Sequence, residues 1–386
     1  MLIGVPKEVM KNEKRVAAIP ETVEKFVKMG FDVLVENSAG EGVFRSNEEY
    51  EKAGAKIAPD GESVFAEADM VLKVKEPTLD EATNRHELDY VKENSALITF
   101  LHPASPGNHD MVRKFRDKQV TSFTMDSIPR ISRAQRMDAL TSMSTITGYK
   151  AVLIAANQLP RFIPMIGTSI GMIKPANFLV IGAGVVGLQA LATAKRLGGI
   201  IKAVDIRDAA RQEATSLGAK IAGYEVSEEL ALGEGGYAKA LPDDILEKER
   251  EVLKPLVKEA DAIVLSALVP GEVAPTLITE DMIKAMKPGS AIIDVSIDQG
   301  GNCQLTRPGC EEHEYGVYIC GIKNIPGSLP VHSTWLYANN MYYYVENLFK
   351  NGLGKFDLED EIVRHSLVTY NGKIVHAGTL KAMGEE

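Results

Sequence analysis

The seven residues 181–187, IGAGVVG, constrain the fold of this chain more than any other stretch. They place Gly182, Gly184 and Gly187 in the order G-x-G-x-x-G, after the apolar run FLVIG and at the start of the helical pattern VVGLQALATAKRLG. Glycine is common, so the spacing alone is weak evidence. The preceding strand, the following helix and a later strand ending in Asp205 together predict a βαβ dinucleotide-binding unit. A glycine-rich contact between helix and sheet, without a ligand, is the structural alternative.

Each residue of this motif has a separate physical task. Gly182 allows the tight turn, Gly184 lets the backbone approach a pyrophosphate, and Gly187 lets the helix pack closely on the strand. The phosphate charge is then placed at the helix N-terminus. Asp205 is positioned to accept hydrogen bonds from an adenosine ribose, and its charge repels a 2′-phosphate, which favours NAD(H) over NADP(H). Arg207, two residues later, offsets part of that repulsion.

Two series of β-rich runs alternate with helical patterns along the chain. This alternation predicts an α/β protein with two Rossmann-like, doubly wound parallel-sheet domains. We expect one domain over 1–139 and 330–386, a second over 140–329, and two long helices that join them. The β-rich runs are residues 2–6, 31–36, 70–75, 96–101 and 120–125, then 178–182, 200–205, 262–268, 291–297 and 317–322; the joining helices are about 140–157 and 333–350. Asn371–Gly372 indicates a hairpin in the C-terminal segment, which we expect to pack on the first domain.

Composition excludes several classes of protein. The formal charge of −10, from 43 basic and 53 acidic residues, argues against a nucleic-acid partner. An odd number of cysteines, Cys303, Cys310 and Cys320, makes a disulfide framework unexpected and fits a reducing cytosol. Cys303, Cys310 and His313 have no familiar metal-site spacing, so no metal is predicted. The start MLIGVPKE is typical of a strand rather than a signal peptide, and residues 178–191 are too short and glycine-broken to span a bilayer.

A very polar loop, RISRAQRMD at residues 130–138, separates the two series. Together with GEGGYAKAL (233–241), LVPGEVAPTLIT (268–279), GGNC (300–303) and the glycine motif, it resembles proton-translocating NAD(P) transhydrogenase. The resemblance is to the NAD(H)-binding part of the alpha subunit and runs almost end to end. RISRAQ-x-MD and GGYAK are specific to that family, whereas the glycine motif is not. A solvated interdomain loop is the alternative for residues 130–138.

The resemblance implies roles for individual residues. In that family the RISRAQ loop lies over the nicotinamide, so Arg130, Gln135 and Asp138 are the expected catalytic residues, through positioning for hydride transfer. GEGGYAK resembles a mobile loop that closes on bound nucleotide. Thr141 stands where the family usually has serine. The expected cofactor-binding residues are Arg130, Gln135, Asp138, Thr141, Gly182, Gly184, Val185, Val186, Gly187, Asp205, Ile206, Arg207, Gly236, Tyr237 and Leu268.

The resemblance also implies partners. In that family the proton channel and the NADP(H) domain lie elsewhere, so NAD(H) is the cofactor expected here and NADP(H) is expected on a partner subunit. We expect a cytoplasmic homodimer that is peripheral to the inner membrane through membrane-spanning and NADP(H)-binding transhydrogenase subunits.

A second constellation favours a different enzyme. Arg15, Lys75, His102 and Asp298 match the pyruvate site and catalytic groups of alanine dehydrogenase, a relative with the same two-domain plan. The first two could bind a 2-oxo acid and the last two could move protons. The alternative is that these residues are inherited structural contacts, and Pro103 follows His102 where alanine dehydrogenases prefer leucine. A non-catalytic NAD-sensing module is a third hypothesis.

Overall fold

The computed structural model describes residues 1–233, 238–269 and 272–385. It divides into two units, unit 1 formed by Met1–Met143 and Gly327–Glu386, and unit 2 formed by Ser144–Pro326. The boundary between residues 143 and 144 falls inside one long helix, Ala139–Gln158. A second long helix, Pro330–Leu348, belongs to unit 1.

The strands and helices alternate along both units. The strands are β1 (Leu2–Val5), β2 (Asp32–Glu36), β3 (Lys56–Ala58), β4 (Met70–Leu72), β5 (Leu79–Asp80), β6 (Arg85–His86), β7 (Ala96–Thr99), β8 (Thr121–Thr124), β9 (Ile166–Thr168), β10 (Gly171–Ile173), β11 (Asn177–Ile181), β12 (Ile200–Val204), β13 (Lys220–Ala222), β14 (Ala262–Leu265), β15 (Ala291–Asp294), β16 (Glu311–Glu314), β17 (Val317–Cys320), β18 (Leu367–Tyr370) and β19 (Lys373–Ile374). The α-helices are α1 (Pro20–Lys28), α2 (Asn47–Lys52), α3 (Gly61–Glu67), α4 (Glu87–Tyr90), α5 (His109–Asp117), α6 (Ala139–Gln158), α7 (Val185–Arg196), α8 (Asp208–Ser216), α9 (Glu228–Ala231), α10 (Asp243–Glu259), α11 (Glu280–Lys284), α12 (Pro330–Leu348), α13 (Glu361–Ser366) and α14 (Ala377–Met383).

The sheet of unit 1 has eight strands in the order β19-β18-β8-β7-β4-β1-β2-β3. The six strands from β8 to β3 are parallel, while β18 pairs antiparallel with β8 and with β19. Asn371 and Gly372 connect β18 to β19 with φ angles of 49° and 68°, the conformation that a tight hairpin requires. The C-terminal segment therefore extends the sheet of unit 1, as the sequence predicted.

The sheet of unit 2 has seven strands in the order β13-β12-β11-β14-β15-β17-β16, of which β16 alone is antiparallel to its neighbour. Along β11, Phe178 and Val180 pack into the core on one face, and Leu179 and Ile181 pack into the core on the other. A strand covered on both faces is apolar throughout, which explains the continuous apolar run in the sequence. The predicted α/β class with two parallel sheets is confirmed.

Both sheets reverse their winding beside a central strand. In unit 1 the chain runs from β1 to β2 and β3 and then returns to β4 on the other side of β1; in unit 2 it runs from β11 to β12 and β13 and returns to β14. Ligands of open α/β sheets bind at the carboxyl ends of the strands at such switch points. The structure thus offers one candidate position in each unit.

The sequence analysis missed one hairpin in unit 2. Strands β9 and β10 pair antiparallel outside both large sheets, with Thr168 opposite Gly171. Their side chains are unusually exposed for apolar residues, since Ile170 is 96% exposed and Met172 is 73% exposed. Because the hairpin has no buried face, hydrophobic periodicity did not predict it.

Candidate functional site

The glycine turn of unit 2 has the geometry that its spacing predicts. Gly182 follows β11 with φ +91°, and a Cβ built there would lie 2.6 Å from the backbone of Ser266. At Gly187, in the first turn of α7, a Cβ would lie 1.9 Å from the carbonyl oxygen of Gly182. At Gly184, by contrast, the nearest atom to a Cβ is the Arg207 guanidinium at 3.8 Å. The turn is therefore closed on its protein side and open where a pyrophosphate would approach the backbone.

Val185 and Val186 form the first turn of α7, and both are half-buried. Gly184 is the N-cap residue of this helix in extended conformation. The backbone N–H groups of a first helical turn have no carbonyl partner within the helix. They are therefore suited to bind phosphate oxygens, aided by the helix dipole.

Asp205 follows β12 and is buried. Its Oδ2 accepts from the backbone N–H of Ala183 at 2.7 Å and from Nη2 of Arg207 at 2.8 Å. Its Oδ1 accepts from the backbone N–H and from Nε of Arg207 at 2.9 and 3.0 Å. The hydrogen bond to Asp205 raises the pKa of Arg207 above its usual value. A ribose bound at Asp205 would share this carboxylate with Arg207, and Ile206 lies between them in sequence, half-buried.

A second carboxyl group, Glu249 of α10, was missed by the sequence analysis. It is 4% exposed. Burial, followed by repulsion from Asp205, raises the pKa of Glu249 to about 7, although Arg250 opposes the shift. Glu249 precedes the buried residues Leu253 and Val257 by one and two helical turns, so it continues their inward face. That spacing is the signal that could have found it.

The segment after β14 is held by one amide side chain. Asn302 is fully buried; its Oδ1 accepts from the N–H of Ala267 at 3.0 Å and from Ser296 Oγ at 2.7 Å. Its Nδ2 donates to the carbonyls of Ala267 and Pro275 at 2.8 and 2.9 Å. All four hydrogen-bonding positions of the amide are used. Leu268, next to Ala267, keeps 36% of its surface exposed and can contact a ligand.

Two of the predicted cofactor-binding residues, Gly236 and Tyr237, lie outside the described residues. On either side of them, Leu232 and Ala238 form an antiparallel bridge. The predicted closure of residues 233–241 on a nucleotide therefore stays a prediction.

The polar loop of unit 1 contains the 3-10 helix Ser132–Met137. Ala134 and Met137 are buried beneath it, whereas Arg130 and Gln135 are exposed. The loop is thus a shaped surface element with an apolar underside.

Asp138 and Thr141 are brought together where this loop joins helix α6. Asp138 accepts from the N–H of Thr141 at 2.8 Å and from its hydroxyl at 2.7 Å. The carboxylate therefore caps α6, and capping fixes its direction. Thr141 acts here as a donor to Asp138, so any contact of its hydroxyl with a ligand would use the remaining acceptor capacity.

The four residues of the alternative constellation are divided between the units. His102 follows β7 with φ 45°, and its Nδ1 lies 2.9 Å from Oδ1 of Asp126. Burial alone would lower the pKa of His102, but the neighbouring charge of Asp126 raises it. Lys75 is half-buried beyond β4 in the same unit, whereas Asp298 is in unit 2 and exposed, 3.9 Å from Lys323.

Arg15 is buried and already occupied. Its guanidinium is 2% exposed, and Nε and Nη2 donate to the two carboxylate oxygens of Glu13 at 2.8 and 2.6 Å. Nη1 also contacts the sulfur of Met143 at 3.0 Å. To bind a substrate carboxylate, Arg15 would have to exchange a buried carboxylate partner for an external one.

A buried ion cluster at the switch point of unit 1 was also missed. Lys73 is fully buried, with Nζ 2.6 Å from Glu87 and 3.2 Å from Glu8. Glu8 also accepts from the N–H of Val74 at 2.6 Å. Burial is the main cause that raises the pKa of Glu8 to about 7, with Lys73 opposing it. The cluster fixes the backbone immediately before Lys75.

These sites define the class of protein. A βαβ unit with a glycine turn at a switch point, and a buried acid after the second strand, forms a dinucleotide-binding α/β unit of the kind found in oxidoreductases. Among the described residues, no group of three or more His, Cys, Asp or Glu side chains is arranged to hold a metal ion. In the segments of the chain that the structure describes, no helix combines the length and apolarity needed to cross a membrane.

Comparison with known proteins identifies the family. Residues 4–147 match the N-terminal domain, and residues 151–377 the C-terminal domain, of the alanine dehydrogenase/PNT family, to which the chain belongs. A relative from Rhodospirillum rubrum, the first of the separate parts of an NAD(P) transhydrogenase subunit alpha, is 41% identical over 383 residues, covering 97% of this chain and 98% of the relative. The resemblance to transhydrogenase is confirmed. The chain is an oxidoreductase of the transhydrogenase family and binds NAD(H).

Two solved structures share the fold. A transhydrogenase from Sinorhizobium meliloti superposes with a TM-score of 0.82 at 33% identity, covering 98% of this chain and 99% of the other. An L-alanine dehydrogenase superposes with a TM-score of 0.83 at 26% identity, covering 100% and 99%. The backbone is therefore equally similar to both enzymes, and sequence identity favours the transhydrogenase.

Proposed function

We propose that this chain is the NAD(H)-binding component of a proton-translocating NAD(P) transhydrogenase. In this proposal NADH bound to the chain transfers hydride directly to NADP⁺ on a partner subunit. The observation that carries the proposal is the state of Arg15. Because Glu13 engages its guanidinium in a buried pair, the group that an alanine dehydrogenase would need for a 2-oxo acid is already occupied.

The proposed roles follow from the geometry of each unit. In unit 2, the turn from Gly182 to Gly187 would hold the pyrophosphate and Asp205 the adenosine ribose. In unit 1, Arg130, Gln135 and Asp138 would position the dihydronicotinamide, its ribose and a phosphate. Direct hydride transfer needs positioning more than acid–base chemistry. NADH should bind more tightly than NADPH because of Asp205; equal affinities would contradict that assignment.

The proposed partners come from the relatives. The Rhodospirillum rubrum relative is named as one part of a subunit alpha, which implies further components. We propose that an NADP(H)-binding subunit and membrane-spanning subunits complete the enzyme, couple transfer to proton translocation, and hold this cytoplasmic chain at the inner membrane.

We also propose a homodimer. The β9–β10 hairpin exposes Ile170 and Met172 almost completely, and Met165 at 58%. Exposed apolar side chains grouped in this way mark protein interaction surfaces. Sedimentation velocity is the direct test, and a monomer at micromolar concentration would exclude the dimer.

The test of the proposed function compares two reactions. With the NADP(H)-binding partner added, Gln135→Asn should slow NADH-to-NADP⁺ hydride transfer more than it weakens NADH binding, since it shortens the positioning arm by one methylene. His102→Ala should leave transfer nearly unchanged, because no proton passes through His102 in this reaction. The measurements are transfer rate and NADH affinity for each variant.

Alanine dehydrogenase is the second candidate, and one observation favours it. His102 and Asp126 form a close pair at the carboxyl edge of the unit 1 sheet, with the pKa of His102 raised. If the chain alone reduces pyruvate with ammonium and NADH, His102→Ala should remove a general-acid contribution of roughly 10²–10⁴-fold. Robust alanine formation abolished by this substitution would replace the transhydrogenase proposal.

A further inference from the structure

The three arginines of the loop 130–138 have different surroundings. Arg133 donates from Nη1 to Oδ2 of Asp360 at 2.8 Å and from Nη2 to Oδ1 at 3.2 Å. This is a bidentate pair, the geometry in which arginine binds a carboxylate most specifically. Its partner lies 227 residues away in the sequence. The pair ties the loop to the C-terminal segment of unit 1.

Arg136 makes a second attachment. Its guanidinium lies 3.5 Å from the centre of the Tyr343 ring on helix α12. Its carbonyl accepts from Nδ2 of Asn340, also on α12, at 2.8 Å. The loop therefore rests on α12 through Arg136 and on the C-terminal segment through Arg133.

Asp360 is the centre of the C-terminal attachment. Its side chain is 3% exposed and also accepts from Lys350 Nζ at 2.5 Å. Oδ1 accepts from the N–H groups of Ile362 and Val363 at 2.8 and 3.4 Å, so Asp360 caps α13. Burial alone would raise the pKa of Asp360, but the hydrogen bonds from Arg133 and Lys350 hold it well below its usual range. The carboxylate is ionised at physiological pH and joins the loop, the end of α12 and the start of α13.

We infer that Asp360 is a positioning residue for the nicotinamide-binding loop, acting through Arg133. The exposed side chain of Gln135 lies two residues from Arg133 and one from Arg136, so the two attachments bracket it. Removing one attachment leaves the loop in place but lets Gln135 shift. This inference rests on the proposed function, because it assumes that the loop holds the nicotinamide.

The reaction is sensitive to such a shift. A misplacement of about 1 Å in a reacting group can reduce a rate by roughly 10²-fold while binding is maintained by other contacts. Since the pyrophosphate and adenosine contacts proposed in unit 2 do not involve the loop, loosening it should lower the hydride-transfer rate more than the affinity for NADH.

The experiment uses Asp360→Asn in the full chain. Asparagine keeps an oxygen for the N-cap of α13 but removes the charge that Arg133 and Lys350 bind. We expect hydride transfer to the NADP(H)-binding partner to fall roughly 10-fold or more, and the Kd for NADH, measured by calorimetry, to change less than about 3-fold. Asp60→Asn is the matched control, because Asp60 caps α3 through Ser63 and is exposed. It should change neither value.

Arg133→Met keeps the test informative if Asp360→Asn folds poorly. Arg133 is 46% exposed, so its removal leaves no buried hole. It should reproduce the loss of transfer, the double variant should lose no more than either single variant, and Arg133→Lys should recover part of the rate. A transfer rate unchanged in both single variants, with only a lower unfolding midpoint, would show a purely stabilising pair and overturn the inference. If Gln135→Asn also has no effect, the proposed role of the loop fails as well; if Gln135→Asn slows transfer, only the inference fails.

Discussion

Units 1 and 2 have similar sheets, yet they build the carboxyl edge of those sheets from different material. The buried basic side chains of the described residues, Arg15 and Lys73, both lie in unit 1 and both pair with buried carboxylates. In the described segments of unit 2, the buried charged side chains are all carboxylates, and several bind backbone N–H groups, as Asp294 does with Asn302 and Cys303. Unit 1 relies on ion clusters, whereas unit 2 relies on backbone conformation and glycine.

The difference teaches what makes a site visible in a sequence. Backbone conformation depends on residues that are close in the chain, so a turn such as Gly182–Gly187 has a fixed spacing. An ion cluster depends on residues such as Glu8 and Lys73 that meet only after folding. If this contrast is correct, charge removal should damage unit 1 most, and an added methyl group should damage unit 2.

The largest expected effect is Lys73→Met in unit 1. Removing the ammonium leaves Glu8 and Glu87 buried without a cation, which typically destabilises a protein by about 3–5 kcal/mol. Urea unfolding followed by the fluorescence of Trp335, the single tryptophan, measures the change. Lys92→Met is the control, because Lys92 forms an exposed pair with Asp69 at 3.8 Å and should matter by less than about 1 kcal/mol. Equal, small losses for both variants would contradict the ion-cluster description of unit 1.

The next effect is Gly187→Ala in unit 2. The new Cβ would meet the Gly182 carbonyl at 1.9 Å, so α7 must move away from β11. Overpacking of this kind typically destabilises by about 1–3 kcal/mol. Calorimetric titration should also show weaker NADH binding, since the shift distorts the glycine turn. Gly167→Ala is the control, because a Cβ there meets no atom within 4 Å. Normal NADH affinity in Gly187→Ala would show that the turn tolerates a side chain.

The smallest effect is a pH dependence at Glu249. Burial and the repulsion from Asp205 raise its pKa to about 7 from an ordinary 4.5, so the folded protein holds this proton more tightly than the unfolded chain. The stabilisation is complete below about pH 4.5 and is lost as the pH rises through about 7. Glu249→Gln should therefore match the unmodified protein at pH 5 and exceed its stability by about 1–2 kcal/mol at pH 8. Thermal unfolding at both values is the measurement, with the exposed Glu251→Gln as control. An unchanged difference across this range would remove Glu249 as a buried acid.

Local signals accounted for much of the fold. The alternating runs predicted the parallel strands, and Asn371–Gly372 predicted the hairpin between β18 and β19, because both signals act within a few residues. The β9–β10 hairpin escaped prediction because neither face of it is buried. For the candidate site, the sequence suggested the glycine turn and Asp205, but not that Arg207 would occupy all sides of that carboxylate together with Ala183.

The sequence by itself determined the α/β class, the glycine turn of unit 2 and the resemblance to transhydrogenase, because each is encoded by residues adjacent in the chain. Only the tertiary structure decided which charges work together. It assigned Arg133 to Asp360 rather than to a ligand, engaged Arg15 with Glu13, and buried Lys73 between two carboxylates. The physical reason is that burial sets the strength of a charge interaction, and burial is a property of the packed chain rather than of any short stretch of it.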